Sequence, residues 1–304
     1  MPLAVGFSLL AAFLFAGSAS LQQVAARQTV SDLPARARSQ PLRPSGIIVG
    51  LWRLLRLLVR RPLWLIGWST NLIGFAVQVL ALHYGSVGLV QPVLVTQLLF
   101  ALPMAAAWQR RRPHGRDWFA ASLISAGLAV FLSVRGVAPI GGQADRPKLV
   151  LACLAAAAGV AAILVVCVRV SRLVRATLLA TAAGLCFAVS AAMIKLTTDD
   201  LLSAGVGATA RDWPGYALAA ATLSGLLLEQ GAFASGSLPS AVAAMSITNP
   251  VASYLIGVLA FGIAFPDSAA ELAGLAGAAA LISIGAVGLA HSPLVLSDDR
   301  RAYA

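Results

Sequence analysis

Apolar runs of roughly 18 to 25 residues, separated by short polar connections, recur along this chain from end to end. A helix of about 20 residues rises about 30 Å, the thickness of a bilayer's hydrocarbon core. Nine runs meet that length: Leu3–Val24, Leu63–His83, Val87–Trp108, Trp118–Val134, Leu149–Val170, Thr177–Leu196, Tyr216–Ser235, Pro239–Phe265 and Ala269–Ala290. Backbone N–H and C=O groups in lipid must be paired within the segment, so each run is predicted to be helical. The expected fold is therefore all-α, a polytopic membrane helix bundle of about nine spans.

The runs are not independent. FAGSASLQQ from Phe15 echoes in FAVSAAMIK from Phe187, and LIGFAVQVLALHYGS from Leu72 echoes in LSGLLLEQGAFASGS from Leu223. In the second pair Gly74 falls on Gly225, Gln78 on Glu229, Gly85 on Gly236 and Ser86 on Ser237. After a one-residue shift, Thr96-Gln97 falls on Thr248-Asn249. The pattern reads as a first repeat over 3–134, a linking helix at 149–170 and a second repeat over 177–290. An odd number of crossings separates the copies, so the repeats are expected to be inverted across the membrane.

Only 11% of the 304 residues are charged and 59% are hydrophobic, yet the net charge is +11. Position explains the excess. With connections alternating between sides, seventeen of the 22 basic residues fall on one side and four on the other, with Lys195 inside a span. The positive-inside rule then puts the N-terminus outside and the C-terminus in the cytoplasm. The charge reports topology and contact with anionic lipid, and nucleic-acid binding is not expected. Eight arginines follow the first apolar run and none precedes it, the reverse of a signal peptide, so that run is read as a retained helix.

The basic connection at 27–62 contains IIVGLWRLLRLLVRR. Arg53, Arg56 and Arg60 share one helical face, with Leu51, Leu54, Leu55 and Leu58 on the remainder and Trp52 placed to anchor at headgroup level. This predicts an interfacial amphipathic helix.

Ionisable and polar side chains within spans are costly there and therefore informative. Glu229 lies about 6 Å from the middle of its span, four residues toward the cytoplasmic side. A carboxyl in that position is able to exchange a proton or contact a solute; the alternative is a structural hydrogen bond to a neighbouring helix. Gln97 and Asn249 lie near span centres, beside the expected helix breaks at Pro92 (after Gln91) and Pro250. They read equally as a solute path or as interhelical hydrogen bonds. Gln78 mirrors Glu229 across the midplane. Gln22, Gln23 and Lys195 sit at the ends of the echoed helices, where anchoring is favoured over gating and Lys195 reaches toward Asp199 and Asp200. Cys153, Cys167 and Cys186 lack metal-ligand spacing and read as small packing residues. No catalytic constellation or phosphate loop is present, so neither enzyme activity, a cofactor nor a bound metal is expected.

Spans two to four, LWLIGWSTNLIGFAVQVLALHYGSVGLVQPVLVTQLLFALPMAAAW and then DWFAASLISAGLAVFLSV, resemble the drug/metabolite transporter (EamA-like) superfamily. Within it they are most similar to the NIPA-like magnesium transporter branch. The shared features are a small-residue first helix ending in Gln22-Gln23, the Gly74 helix, the LVQP segment with Pro92, and a fourth helix with Gly127. The resemblance implies an inverted-repeat carrier working by alternating access, usually with ten spans. Magnesium-transporting relatives tend to carry an acidic residue after span three, where this chain reads QRRRPHGRD. Hard cations prefer several carboxylates. A small metabolite or drug-like solute, driven by protons or by its own gradient, is therefore ranked above magnesium, and a non-transporting scaffold or lipid-interacting protein is the contrasting class. An arginine-rich, lysine-poor composition points to a bacterial cytoplasmic membrane. A homodimer is left open.

Overall fold

The computed structural model describes residues 2–32, 44–84, 87–109, 112–134, 144–262 and 266–291; the side chains of 44–47, 82, 87–89, 91, 109, 172, 173 and 290 are excluded from that description. Among the described residues the regular structure is entirely helical. The helices are α1 (Pro2–Ser31), α2 (Pro44–Leu58), α3 (Pro62–Tyr84), α4 (Val87–Leu94), α5 (Gln97–Gln109), α6 (Gly115–Ser133), α7 (Arg146–Cys167), α8 (Arg172–Thr209), α9 (Trp213–Ser235), α10 (Leu238–Ala260) and α11 (Ala269–Ala290).

Their starts follow local chemistry. Asp145, Ser171, Asp212, Ser237 and Ser268 cap α7 to α11, each side chain accepting from a backbone N–H of the first turn. Proline near the start of α7, α9 and α10 occupies positions where its missing N–H is not needed.

Among the described residues eight helices are long and apolar enough to cross a membrane. The ninth run of the sequence, Val87–Trp108, is in two pieces. Val95 and Thr96 form a turn between α4 and α5, with the Thr96 N–H and Oγ1 both donating to the Val93 carbonyl. The interruption thus lies three residues past Pro92, which is itself inside α4. Helix α10, by contrast, continues through Pro250. The expected break there is absent because proline removes only its own donor, leaving the Ser246 carbonyl without that bond while packing holds the helix. Helix α8 outruns its apolar stretch and kinks at Gly205, whose φ is +77°.

Helix α1 lies antiparallel to α3, and α8 antiparallel to α9. Two close approaches fix these pairs. A Cβ on Gly74 would stand 3.0 Å from the Phe15 ring, and one on Gly225 would stand 2.8 Å from the Phe187 ring. Helices α6 and α11 form a third antiparallel pair, with Gly127 against Ala278 and Ile282, and Gly285 against Ala120 and Ile124. Small residues at such crossings let backbones meet, which is how helices associate where the solvent is itself apolar. The outer surface carries Phe119, Leu151 and Val287, each at least 61% exposed, a shell that suits a lipid bilayer.

Helix α2 differs from its expected setting. Its arginine face is exposed and Trp52 is 47% exposed, but Leu51, Leu54, Leu55 and Leu58 are buried in the main core. Leu51 reaches Gly231 of α9, where the absent side chain makes room. The leucines therefore face protein instead of lipid, and α2 packs on the bundle at the end where α1 and α9 finish.

At the opposite end Arg146 of α7 bonds Asp200 of α8 at 2.6 Å and Asp212 at the head of α9 at 2.5 Å. The Arg146 hydrogen bond, then the Trp213 N–H, hold the Asp212 carboxyl below its ordinary value. A depressed carboxyl stabilises the fold fully above its unfolded value and loses that contribution as pH falls through the folded one. Thermal melts should therefore weaken below about pH 4, and Asp212→Asn should lower the pH 7 melting temperature and flatten the acid slope. A slope unchanged by the substitution would refute this.

Candidate functional site

A cavity of about 470 Å³ lies among α1, α3, α5, α8, α9 and α10. Its polar lining includes Ser18, Gln22, Asn71, Gln78, Gln97, Glu229, Ser246 and Asn249. Its apolar lining includes the rings of Phe15, Trp68, Phe75 and Phe187, with Met245 beside them. The volume falls within the range of about 300 to 1,000 Å³ typical of small-molecule sites, and aromatic walls with a few polar groups are the usual makeup.

Among the described residues Glu229 is the sole ionisable one of this lining. Among the described residues no group hydrogen-bonds to it or pairs with its charge, and it is partly accessible. Among the described residues the structural hydrogen bond weighed from sequence finds no partner. Gln78 and Asn71 likewise have no protein partner among the described residues. Gln97 donates to Ser246 Oγ at 3.1 Å, and Asn249 Oδ1 accepts from Ser253 Oγ at 3.3 Å. The first bond ties α5 to α10 and the second joins neighbouring turns of α10, yet both residues still line the cavity.

One end of the cavity abuts a buried polar chain. Trp64 Nε1 donates to Gln230 Oε1 at 2.9 Å, Gln230 Nε2 to Gln22 Oε1 at 2.7 Å, and Gln22 Nε2 to Ser18 Oγ at 2.8 Å. Gln230 is fully buried. Networks satisfied in this way fix helix positions, because each member orphaned in a dry interior is costly. Trp68 is the contrast. Its ring lines the cavity, but its Nε1 is buried with no partner among the described residues. Trp68→Phe should change stability by less than about 1 kcal/mol, whereas Trp64→Phe, which strands Gln230 Oε1, should cost about 1–3 kcal/mol. Thermal unfolding of the two variants checks this; equal losses would contradict it.

Two sequence candidates lie elsewhere. Gln23 donates to the Gly236 carbonyl at 2.7 Å, which Arg27 also contacts, so it ties α1 to the end of α9. Lys195 pairs with Asp199 at 2.9 Å. Both residues lie outside the cavity lining. Gln91 is on α4, and its side chain lies outside the described ones. Conversely, Asn71, Trp68 and Ser246 join the lining without having been singled out in the sequence, and Gln22 joins it from a position read as a helix end. Asn71 was detectable in principle as a polar residue within an apolar run.

The chain is 27% identical over 204 residues to an uncharacterized protein of Corynebacterium glutamicum, covering 67% of this chain and 71% of that protein. No protein-family profile matches it, and no solved structure does.

Proposed function

We propose that this protein is a secondary transporter of a small solute, working by alternating access between two inverted repeats, with the cavity as its substrate site. One observation carries the reading. Three pairs matched between the sequence repeats, Phe15 with Phe187, Gln78 with Glu229 and Gln97 with Asn249, all line the same cavity. A site at the interface of inverted repeats, near the membrane midplane, is where such carriers bind substrate.

The packing supports the repeat. Gly74 meets Phe15 as Gly225 meets Phe187, and the contacts of Gly127 and Gly285 across α6 and α11 are reciprocal. On this reading the broken run α4–α5 is the ninth span and corresponds to α10. The two sides of the site differ. Ser18 and Asn71 line the cavity, while the equivalent Ser190 and Thr222 hydrogen-bond to each other at 3.1 Å and do not. That asymmetry is what one state of an alternating cycle requires.

Glu229, without a protein partner among the described residues, is the group that would carry a coupling proton or meet the solute. Gln97, Asn249 and Gln78 would line the path. The basic bias of the connections favours a cytoplasmic C-terminus and an external N-terminus, with Arg53 and Arg56 of α2, and Arg60 in the turn after it, facing anionic lipid headgroups. A bacterial cytoplasmic membrane fits the arginine-rich composition. A dry scaffold has no use for an unpaired intramembrane carboxyl in a cavity, and magnesium would find one carboxylate there.

Proteoliposomes test the proposal. Vesicles carrying an imposed pH gradient, challenged with a panel of small solutes, should lose the gradient on addition of a transported solute only when the protein is present. Indifference of protein-containing and empty vesicles to every solute class would remove proton coupling, and equal uptake of every solute by the two kinds of vesicle would remove the transport reading.

A further inference from the structure

We infer that α2 carries a binding site for an anionic phospholipid, with the phosphate held by Arg53, Arg56 and Arg60 and an acyl chain lying along an apolar strip beside them. It rests on the lipid contact put forward above for these arginines and turns a charged face into a site with two chemically different parts.

An α-helix turns about 100° per residue, so the positions of α2 sort into three faces. Leu51, Leu54, Leu55 and Leu58 share about 100° of the circumference and are buried in the main core. Ile48, Trp52 and Val59 fall within about 40° of one another on the next face, and each is 46% to 49% exposed. Arg56, Arg60 and Arg53 follow over about 60°. The winding runs on past Leu58, since the Val59 N–H donates to the Leu55 carbonyl at 3.0 Å and the Arg60 N–H to the Leu57 carbonyl at 3.2 Å. A helix that only covered the bundle would need leucines inside and polar residues outside. This one has a second apolar face that the protein leaves open.

The arginines are open as well. All three are exposed, and among the described residues none has an ion-pair partner. Helix α2 contributes no carboxylate of its own. Arg61, the next residue, is by contrast paired with Asp32 at 2.5 Å. Guanidinium groups bind phosphate oxygens through paired N–H donors, and three like charges on one strip repel one another until an anion joins them.

The two open faces together select the partner. Inorganic phosphate or a polyacidic peptide would satisfy the guanidinium groups and leave Ile48, Trp52 and Val59 in water. A neutral lipid would cover that strip and leave the charges unpaired. An anionic phospholipid joins both parts in one molecule, and an indole ring such as that of Trp52 suits the boundary between them.

Binding there reaches beyond α2. Leu51 sits in the notch left by Gly231, the residue after Gln230, whose side chain joins Trp64 and Gln22 at the end of the cavity. A lipid that holds α2 down holds this seat, and a ligand bound only by the folded arrangement raises the melting temperature.

Melting temperatures of the detergent-purified full chain, followed as dioleoylphosphatidylglycerol is added, test this. The comparators are dioleoylphosphatidylcholine, glycerol 3-phosphate and a polyglutamate peptide. Phosphatidylglycerol should raise the melting temperature saturably, with each comparator weaker by about tenfold or more. Joint replacement of Arg53, Arg56 and Arg60 by glutamine should weaken it about tenfold. Joint replacement of Arg112, Arg116 and Arg169 removes the same charge from other exposed positions and should change it by less than about twofold. Trp52→Ser, which keeps every arginine, should weaken it about threefold, and melts without lipid show that each variant is folded.

No rise with phosphatidylglycerol, or an equal response to any comparator, would overturn the site. Equal losses in the two triple variants would also remove it, leaving only a general attraction of the basic side for anionic lipid. No solute enters this experiment. A lipid response without solute flux would sink the transporter reading alone, and flux with no lipid response would sink the lipid site alone.

Discussion

Replacing Glu229 by glutamine is expected to cut solute-dependent flux by about tenfold or more while leaving the fold intact. Glutamine keeps the size and hydrogen-bonding reach of the side chain but removes both its charge and its exchangeable proton. Among the described residues Glu229 bonds to no neighbour, so the substitution orphans no partner. The stability change should stay within about 1 kcal/mol. These two expectations separate a working carboxyl from a structural one. Gln78, at the matched position of the other repeat, lines the same cavity but cannot ionise. Gln78→Leu should reduce flux without altering its pH dependence, whereas Glu229→Gln should remove both. Flux and pH dependence unchanged in Glu229→Gln would end the coupling role.

The second large effect concerns assembly. Gly285→Leu should separate α6 from α11 and destabilise the protein by at least about 1–3 kcal/mol. Even a Cβ there would stand 2.7 Å from the Ala120 carbonyl oxygen and 2.9 Å from the Ile124 nitrogen. These are backbone atoms within a helix, so relief requires moving the whole element. Gly277 provides a control on the same helix, since a Cβ there meets nothing within 4 Å. Gly277→Leu should therefore unfold at the wild-type temperature. Similar melting of both variants would show that the crossing does not depend on close backbone approach.

Much of this architecture was legible because lipid restricts what a chain can do. Apolar runs must be helices, and their lengths set the crossings. What apolarity could not reveal was the exact course of each helix. Thr96 interrupts a continuous apolar run, because a turn donating from both its N–H and its hydroxyl leaves no trace in hydropathy. Pro250, the more conspicuous breaker, sits within an unbroken helix.

The site divides along the same line. Glu229, Gln78, Gln97 and Asn249 stand out as polar side chains in apolar surroundings, and one cavity gathers them. Gln22 was assigned to a membrane surface because the apolar run stops at Val24, but α1 continues to Ser31 and carries Gln22 inward. Its bond to Gln230 joins positions 208 residues apart, which no local pattern encodes. The leucine face of α2 was equally visible as a face, while its occupant was not. Gly231, far along the chain, decides that Leu51 meets protein.

The central claim is that the cavity opens to each side of the membrane in turn. It is tested most directly by placing a cysteine at Asn249, in a background where Cys153, Cys167 and Cys186 are alanine, and adding a membrane-impermeant thiol reagent to one face at a time. Labelling from both faces, with protection by a bound solute, is the expected result. Labelling from neither face, or from one face only under every condition, would contradict it.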